Sequence, residues 1–215
     1  MTTTDRIRYR LVLESDAVSA GKLLGEIFSR HEPLALAVRQ PASSVEAVVA
    51  LLAPKFAAEQ LAVLAEDASD GTIVGVAIAH DFATPMPPGL DRIGESFDQI
   101  ASLLDELEAS YRKHRDVQPG RCAHVFMVGV DPAASGRGIA RQLITRVAAN
   151  ATARGYAYAF TEATSGSSQH VFRQLGFREL TAIPYDSFDY RGQRPFASLL
   201  TPPSVLLMER ELGQS

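Results

Sequence analysis

The run from Ala123 to Val130 is apolar throughout apart from His124 and stops at Asp131-Pro132. It is followed at once by a small turn, Ser135-Gly136-Arg137-Gly138, and by residues with helical periodicity. An apolar run without alternation reads as a central strand buried on both faces. Such a strand needs partners on either side and helices above and below, which already limits the fold to a layered one. The following helix is predicted over Gly136–Ala153, with Ile139, Leu143, Ile144 and Val147 inward and Gly155 as its C-terminal glycine. The first free N–H groups of a helix point at one spot, and its dipole favours an anion there. A diphosphate meets that requirement, and Arg137 and Arg141 can add charge-assisted hydrogen bonds. The glycine spacing matches neither the dinucleotide fingerprint nor a P-loop, because no Gly-Lys-Ser/Thr follows. On the glycines alone, an ordinary helix start accounts for the turn equally well.

The rest of the chain supplies the partners. Ile7 to Leu13 alternates and reads as a first strand. Ser15 and Asp16 offer caps to a helix carrying Leu23, Leu24, Ile27 and Phe28, which ends near His31 because Pro33 disfavours continuation. Ser43 or Ser44 caps a second helix with Val45, Val48, Val49 and Leu52 inward, interrupted or kinked at Pro54. Leu61–Ala65 and Ile73–Ala79 form a hairpin, and Ala83–Gly89 is irregular. Phe97, Ile100, Leu104, Leu107 and Tyr111 recur at helical spacing. Tyr156–Ala163 is a strand, Ser167–Leu175 a short helix, and Phe177–Ile183 and Val205–Glu209 are late strands. The expected fold class is α/β (α+β): a mixed sheet covered by helices, in one domain over residues 1–215.

Net charge is −4 over 215 residues with a sequence pI of about 5.7, and Lys and Arg are dispersed. No nucleic-acid partner is therefore expected, since phosphate binding needs clustered cations. Cys122 is the single cysteine, which excludes a disulfide framework and a Cys-rich zinc site. The polar start of the chain is unlike a signal peptide and no stretch is apolar enough to span a bilayer. The expectation is a cytoplasmic protein with no membrane partner and no metal, a monomer or a homodimer.

Two places in the sequence resemble the GNAT superfamily of acetyl-CoA-dependent N-acetyltransferases. Ser135-Gly136-Arg137-Gly138-Ile139-Ala140 is similar to that family's Arg/Gln-x-x-Gly-x-Gly/Ala loop, with Ser135 where Arg or Gln is usual. Ser168 to Phe177, ending Leu175-Gly176-Phe177, is similar to its helix with a terminal Leu-Gly-Phe. The resemblance implies a mixed, mostly antiparallel central sheet in which the strand ending at Val130 parts from the strand beginning near Tyr156. The gap would admit the pantetheine arm of acetyl-CoA. Val128 and Val130 would hydrogen-bond its amides, with Ser135, Gly136, Arg137, Gly138, Ile139, Ala140 and Arg141 around the diphosphate. The thioester would sit in the crevice near Thr164 and Ser168, and Ser168 and Phe172 would be among the residues that bind the cofactor.

Acyl transfer needs a neutral amine, a polarised carbonyl and a proton for the thiolate. Where many family members carry a tyrosine acid, this chain has Phe172, which cannot donate a proton. Phe28-Ser29-Arg30-His31-Glu32-Pro33-Leu34 resembles the Phe-x-x-x-Glu-Pro-Leu motif of the insect-type arylalkylamine N-acyltransferases. Thr161 to Ser165 with Ser168 resembles their hydroxyl-rich segment. That likeness implies Glu32 as a base acting through water and Thr164 and Ser168 as the paired hydroxyls. The residues by themselves favour an exposed turn glutamate, and they read Ser168 as a helix N-cap or first-turn residue. His31, His80, His124 and His170 are possible bases without a visible partner, and Glu162 could face the amine or simply be solvated. Cys122 reads as a small buried apolar residue. The implied activity is acetyl transfer to the primary amine of a small molecule. A protein or peptide amine, or acyl-CoA binding without catalysis, are the competing readings.

Overall fold

The computed structural model describes residues 7–213; the polar stretch before them lies outside the described residues. Seven strands form one sheet: β1 (Ile7–Leu11), β2 (Val63–Asp67), β3 (Ile73–Asp81), β4 (Cys122–Val130), β5 (Tyr158–Ala163), β6 (Arg178–Pro184) and β7 (Ser204–Glu211). Their order is β1-β2-β3-β4-β5-β7-β6. Neighbours are antiparallel except β4 and β5, which are parallel. This is the mixed, mostly antiparallel sheet expected from the sequence. The helices are α1 (Ala17–His31), α2 (Pro33–Ala37), α3 (Ala42–Glu59), α4 (Glu95–His114), α5 (Ile139–Ala153) and α6 (Gly166–Gln174). Among the described residues no helix is long and apolar enough to cross a membrane.

The parallel pair is short. Cys122, Ala123 and His124 face Tyr158, Ala159 and Phe160, and there the pairing stops although both strands continue. One cause lies on the other edge of β4. Ile78 pairs with Met127 but the next residue, Ala79, pairs with Val125, so Phe126 is an extra residue. A bulge bends its strand and increases the local twist, and β4 leaves β5 at this point. Beyond the bulge Phe126, Val128 and Val130 are only half-buried, so the strand is not enclosed on both faces along its whole length.

Helices cover both faces. Ile139, Leu143, Ile144, Val147 and Ala151 of α5 and Phe172 of α6 pack with Ala77, Ala123 and Val125 on one face. Leu24 of α1 and Val45, Val48, Val49, Leu52 and Phe56 of α3 pack with Leu64, Val76 and Ile78 on the other. Leu103, Leu107 and Tyr111 of α4 extend that layer over Phe160 and Leu207.

The local expectations fail in instructive places. α3 is capped by Pro41 and runs unbroken through Pro54. Loss of one helical donor is outweighed by the burial of Leu52, Ala53 and Phe56 around it. α5 starts at Ile139 and not at Gly136, because Gly136 and Gly138 have φ of 75° and 72°. The first strand ends at Leu11, and the helix α2 directly after Glu32 has too few residues to show a period.

α1 and α3 meet through glycine. A Cβ on Gly25 would stand 2.8 Å from the Ala42 carbonyl oxygen, a backbone atom that cannot swing away. Gly25→Ala is therefore expected to lower stability by about 1–3 kcal/mol, measurable as a reduced urea midpoint with an unchanged m-value. An unchanged midpoint would mean that the two helices can separate at no cost.

Candidate active site

A cavity of about 620 Å³ lies where β4 departs from β5. The end of α1, the start of α2, one face of α4, β4 from Val125 to Val130, and Thr161 to Ser168 line it. Its wall reaches Ala140 and Ile144 of α5, so it is continuous from the start of α5 to Glu32. This volume suits a small-molecule ligand.

Glu32 joins α1 to α2. Its extended backbone ends α1, Pro33 begins α2, and Oε2 accepts a hydrogen bond from the Ala35 N–H at 2.6 Å. Oε1 is buried without a hydrogen-bond partner. Burial raises the carboxyl above its ordinary 4.5; the Ala35 N–H, the Thr164 hydroxyl and the Leu34 N–H oppose this only in part. The Glu32 carboxyl is thus neither an exposed turn residue nor a salt-bridged one. Tyr185 is fully buried and hydrogen-bonded to the backbone of the Thr164 segment. Its hydroxyl donates to the Thr164 carbonyl at 2.6 Å, and burial first, then the charge of Glu32, holds its pKa high.

Thr164 and Ser168 sit at the end of β5 and in the first turn of α6, and both line the cavity. Ser165, not Ser168, is the cap of α6. Its hydroxyl accepts from the Ser168 N–H at 3.1 Å, while the Ser168 hydroxyl accepts from the Ser165 N–H at 3.1 Å and donates to the Ser165 carbonyl at 2.9 Å. This reciprocal box fixes the start of α6. Phe172 is buried edge-on to Phe177 at 4.9 Å and presents an apolar wall.

At the start of α5, Ser135, Gly136, Arg137 and Gly138 are exposed and Gly138 is the cap. Nothing lies within 4 Å of where a Cβ on either glycine would stand. The N–H groups of Ile139, Ala140 and Arg141, in the first turn of α5, have no intrahelical partner. Arg137 divides its charge. It acts on the Asp67 carboxyl, which Ser69 hydrogen bonds chiefly lower and Arg137 lowers further. Val128 and Val130 line the gap on the edge of β4 that β5 has left.

A second, acidic part of the lining is not legible as a group in the sequence, although Glu162 is singled out there on its own. Asp98, Asp105 and Glu108 come from one face of α4 and Glu162 from β5, and among the described residues no Lys or Arg lines the cavity. His124, expected to lack a partner, shares a 2.7 Å hydrogen bond between Nε2 and Glu162 Oε2. Burial drives both members toward their neutral forms, raising Glu162 and lowering His124. Burial also pushes Glu108 up to about 7, His124 easing and Glu162 and Asp105 adding to the rise. One ligand atom from each of Glu108, His124 and Glu162 lies within 4.8 Å of the others, a spacing a metal ion can also use. The three stand on α4, β4 and β5, so no sequence spacing could reveal them.

Residues 41–177 match the family described as the acetyltransferase (GNAT) family. Arylalkylamine N-acetyltransferase 2 from Aedes aegypti is 25% identical, with a TM-score of 0.79 over 97% of this chain and 100% of that one. The C-terminal condensation domain of Ebony, solved with beta-alanyl-dopamine, gives a TM-score of 0.88 at 15% identity over 97% and 100%. The polyamine N-acetyltransferase of Drosophila melanogaster, which forms N-acetylagmatine, gives 0.71 at 22% identity over 96% and 100%. The last two likenesses are of fold.

Proposed function

This chain belongs to the GNAT acetyltransferase family, and on that premise we propose that it moves an acetyl group from acetyl-CoA to the primary amine of a small molecule. The observation that carries the reading is one cavity joining an open helix N-terminus to a buried carboxylate, Glu32, that has an unpartnered oxygen. The arylalkylamine N-acetyltransferase of Aedes aegypti supports an amine acceptor.

Ser135 to Arg141 hold the diphosphate through the N–H groups of Ile139, Ala140 and Arg141 and the charge of Arg137 and Arg141. The backbone of Val128 and Val130 holds the pantetheine amides, and the Phe172 ring packs beside the arm. The amine arrives as an ammonium. Glu32 takes its proton through a water, and Thr164 orients the carboxylate. The neutral nitrogen attacks the thioester carbonyl, forming C–N, while the Val128 N–H receives the developing oxyanion. The C–S bond breaks, and the second proton, shed by the attacking nitrogen, is relayed through Ser168 or a water to the thiolate.

Thiol release from acetyl-CoA with a panel of small primary amines tests this reading. Amine-dependent release is expected, alongside direct binding of acetyl-CoA that is weakened at least tenfold by Gly138→Val. That change puts a branched side chain at φ 72° in the cradle. Binding of acetyl-CoA without thiol release on any amine would favour a carrier or sensor. Failure to bind acetyl-CoA at all would remove the proposal.

A further inference from the structure

We propose that Glu108, His124 and Glu162 form a second cation subsite, which receives the distal protonated nitrogen of a dicationic acceptor whose reacting amine stands at Glu32. The inference rests on the acyltransfer reading above and adds what chooses the acceptor. It starts from the Glu162 side chain, which is 2% exposed. One of its oxygens is held by His124 and the other, Oε1, has no hydrogen-bond partner although the residue lines the cavity. A buried carboxyl oxygen with nothing to bond is costly, and the cavity is where a donor can reach it.

His124 cannot turn to relieve it. Its ring stacks on Phe160 at 4.5 Å and stands edge-on to His80 at 5.0 Å, Phe126 at 5.6 Å and Phe82 at 5.7 Å. The clamped imidazole therefore holds one Glu162 oxygen and leaves the other for a ligand. Its own Nδ1 is also unpartnered and lies 4.0 Å from Glu108 Oε1, so Glu108 faces the same point from α4. Asp105 lines the cavity one turn away, and among the described residues no Lys or Arg lines it; Arg112, whose charge reaches Glu108 and His124, is held over the Phe82 ring at 3.9 Å.

The ligand's chemistry follows from these acceptors. Glu162 Oε1, His124 Nδ1 and a Glu108 oxygen can each accept a hydrogen bond, and an ammonium or guanidinium donates several while stabilising the ionised form of the carboxyls, which an anion would oppose. While the subsite is empty, burial favours the neutral carboxyls: Glu108 is pushed up to about 7 and Glu162 is raised. A cation entering releases a proton as a carboxyl ionises beneath it. The groups facing Glu162 and Glu108 are His124 from β4, Asp105 and Arg112 from α4, and His80 beyond the imidazole.

The test compares α,ω-diaminoalkanes with monoaminoalkanes of equal chain length, from two to eight carbons, in metal-free buffer. At the best length the wild type is expected to prefer the diamine by roughly 10- to 100-fold in kcat/KM. Glu162→Gln, and separately Glu108→Gln, should reduce that ratio at least tenfold. Calorimetry of the same pairs reads the subsite without turnover, and the diamine should release more protons than the monoamine. Monoamine turnover with no diamine preference at any length would overturn the subsite while leaving the acyltransfer reading intact. If no amine is turned over, that reading fails, and equal calorimetric affinity for both members of a pair then overturns the subsite as well. A preference that survives both variants, or that appears only with added Zn²⁺, would also overturn it, the latter by making the group a metal site.

Discussion

Replacing Glu32 by Gln is expected to lower kcat/KM for the amine by about 10²- to 10⁴-fold, the usual contribution of a positioned base, with acetyl-CoA affinity unchanged within about twofold. The amide keeps an oxygen to accept the Ala35 N–H, so α2 stays capped and the loss falls on proton transfer. Glu32→Ala would in addition give up about 1 kcal/mol of capping, which separates the two roles of the residue. The pH profile gives an independent reading. Glu32 acts only when ionised, and burial raises its pKa above 4.5. The acid limb of kcat/KM should therefore rise with pH through a value above the ordinary carboxylate range. In Glu32→Gln that limb should vanish, leaving only the ionisation of the amine and of the acidic wall. An unchanged acid limb in the variant would show that another group is the base, with Glu162 and Glu108 the first to examine.

Arg115→Ala is expected to cost about 3–5 kcal/mol of stability, the price of stranding a buried charge. Glu209 on β7 is 2% exposed and takes two hydrogen bonds from Arg115, at 2.6 and 2.8 Å, besides one from the Tyr111 hydroxyl at 2.8 Å. Without Arg115 its carboxylate keeps one neutral donor. The Arg115 guanidinium also loses its place over the Tyr158 ring, 4.7 Å from the centroid. The complementary change, Glu209→Leu, should cost less, about 1–3 kcal/mol. Arg115 is 27% exposed and can turn to water, and the main loss is the acceptor for Tyr111. Urea unfolding of the two variants decides it, and Glu209→Leu proving the worse would mean the pair is not what fastens α4. Because α4 carries Asp98, Asp105 and Glu108 into the cavity, the less stable variant should also bind amines more weakly.

Features set by neighbouring residues are legible in the sequence itself. The β4 strand, the turn at Gly136 and Gly138, the α4 stripe and the serine-rich start of α6 each follow from local pattern or backbone freedom. Glu32 is legible for a related reason: Pro33 forces the chain to turn beside it, and the motif around it is contiguous. The family resemblance adds the site roles proposed above, because both of its motifs lie in continuous segments. Where a local rule meets tertiary packing, packing prevails. Pro54 stays inside α3 because burial of its neighbours outweighs one missing hydrogen bond.

The acidic wall is decided by the tertiary structure alone. Glu108, His124 and Glu162 stand on three elements; the sequence marks His124 and Glu162 singly, as a possible base and as a residue that could face the amine, but nothing in it joins the three. The bulge at Phe126 ends the β4–β5 pairing, and that opening leaves Glu162 facing a cavity. α4, fastened to β7 through Glu209, then brings Glu108 across from the other side. Local sequence determines where chain segments become strands, turns and helices, because those choices depend on near neighbours. Which carboxylates share a dry cavity depends on long-range packing, and so does the state of protonation that burial imposes on them.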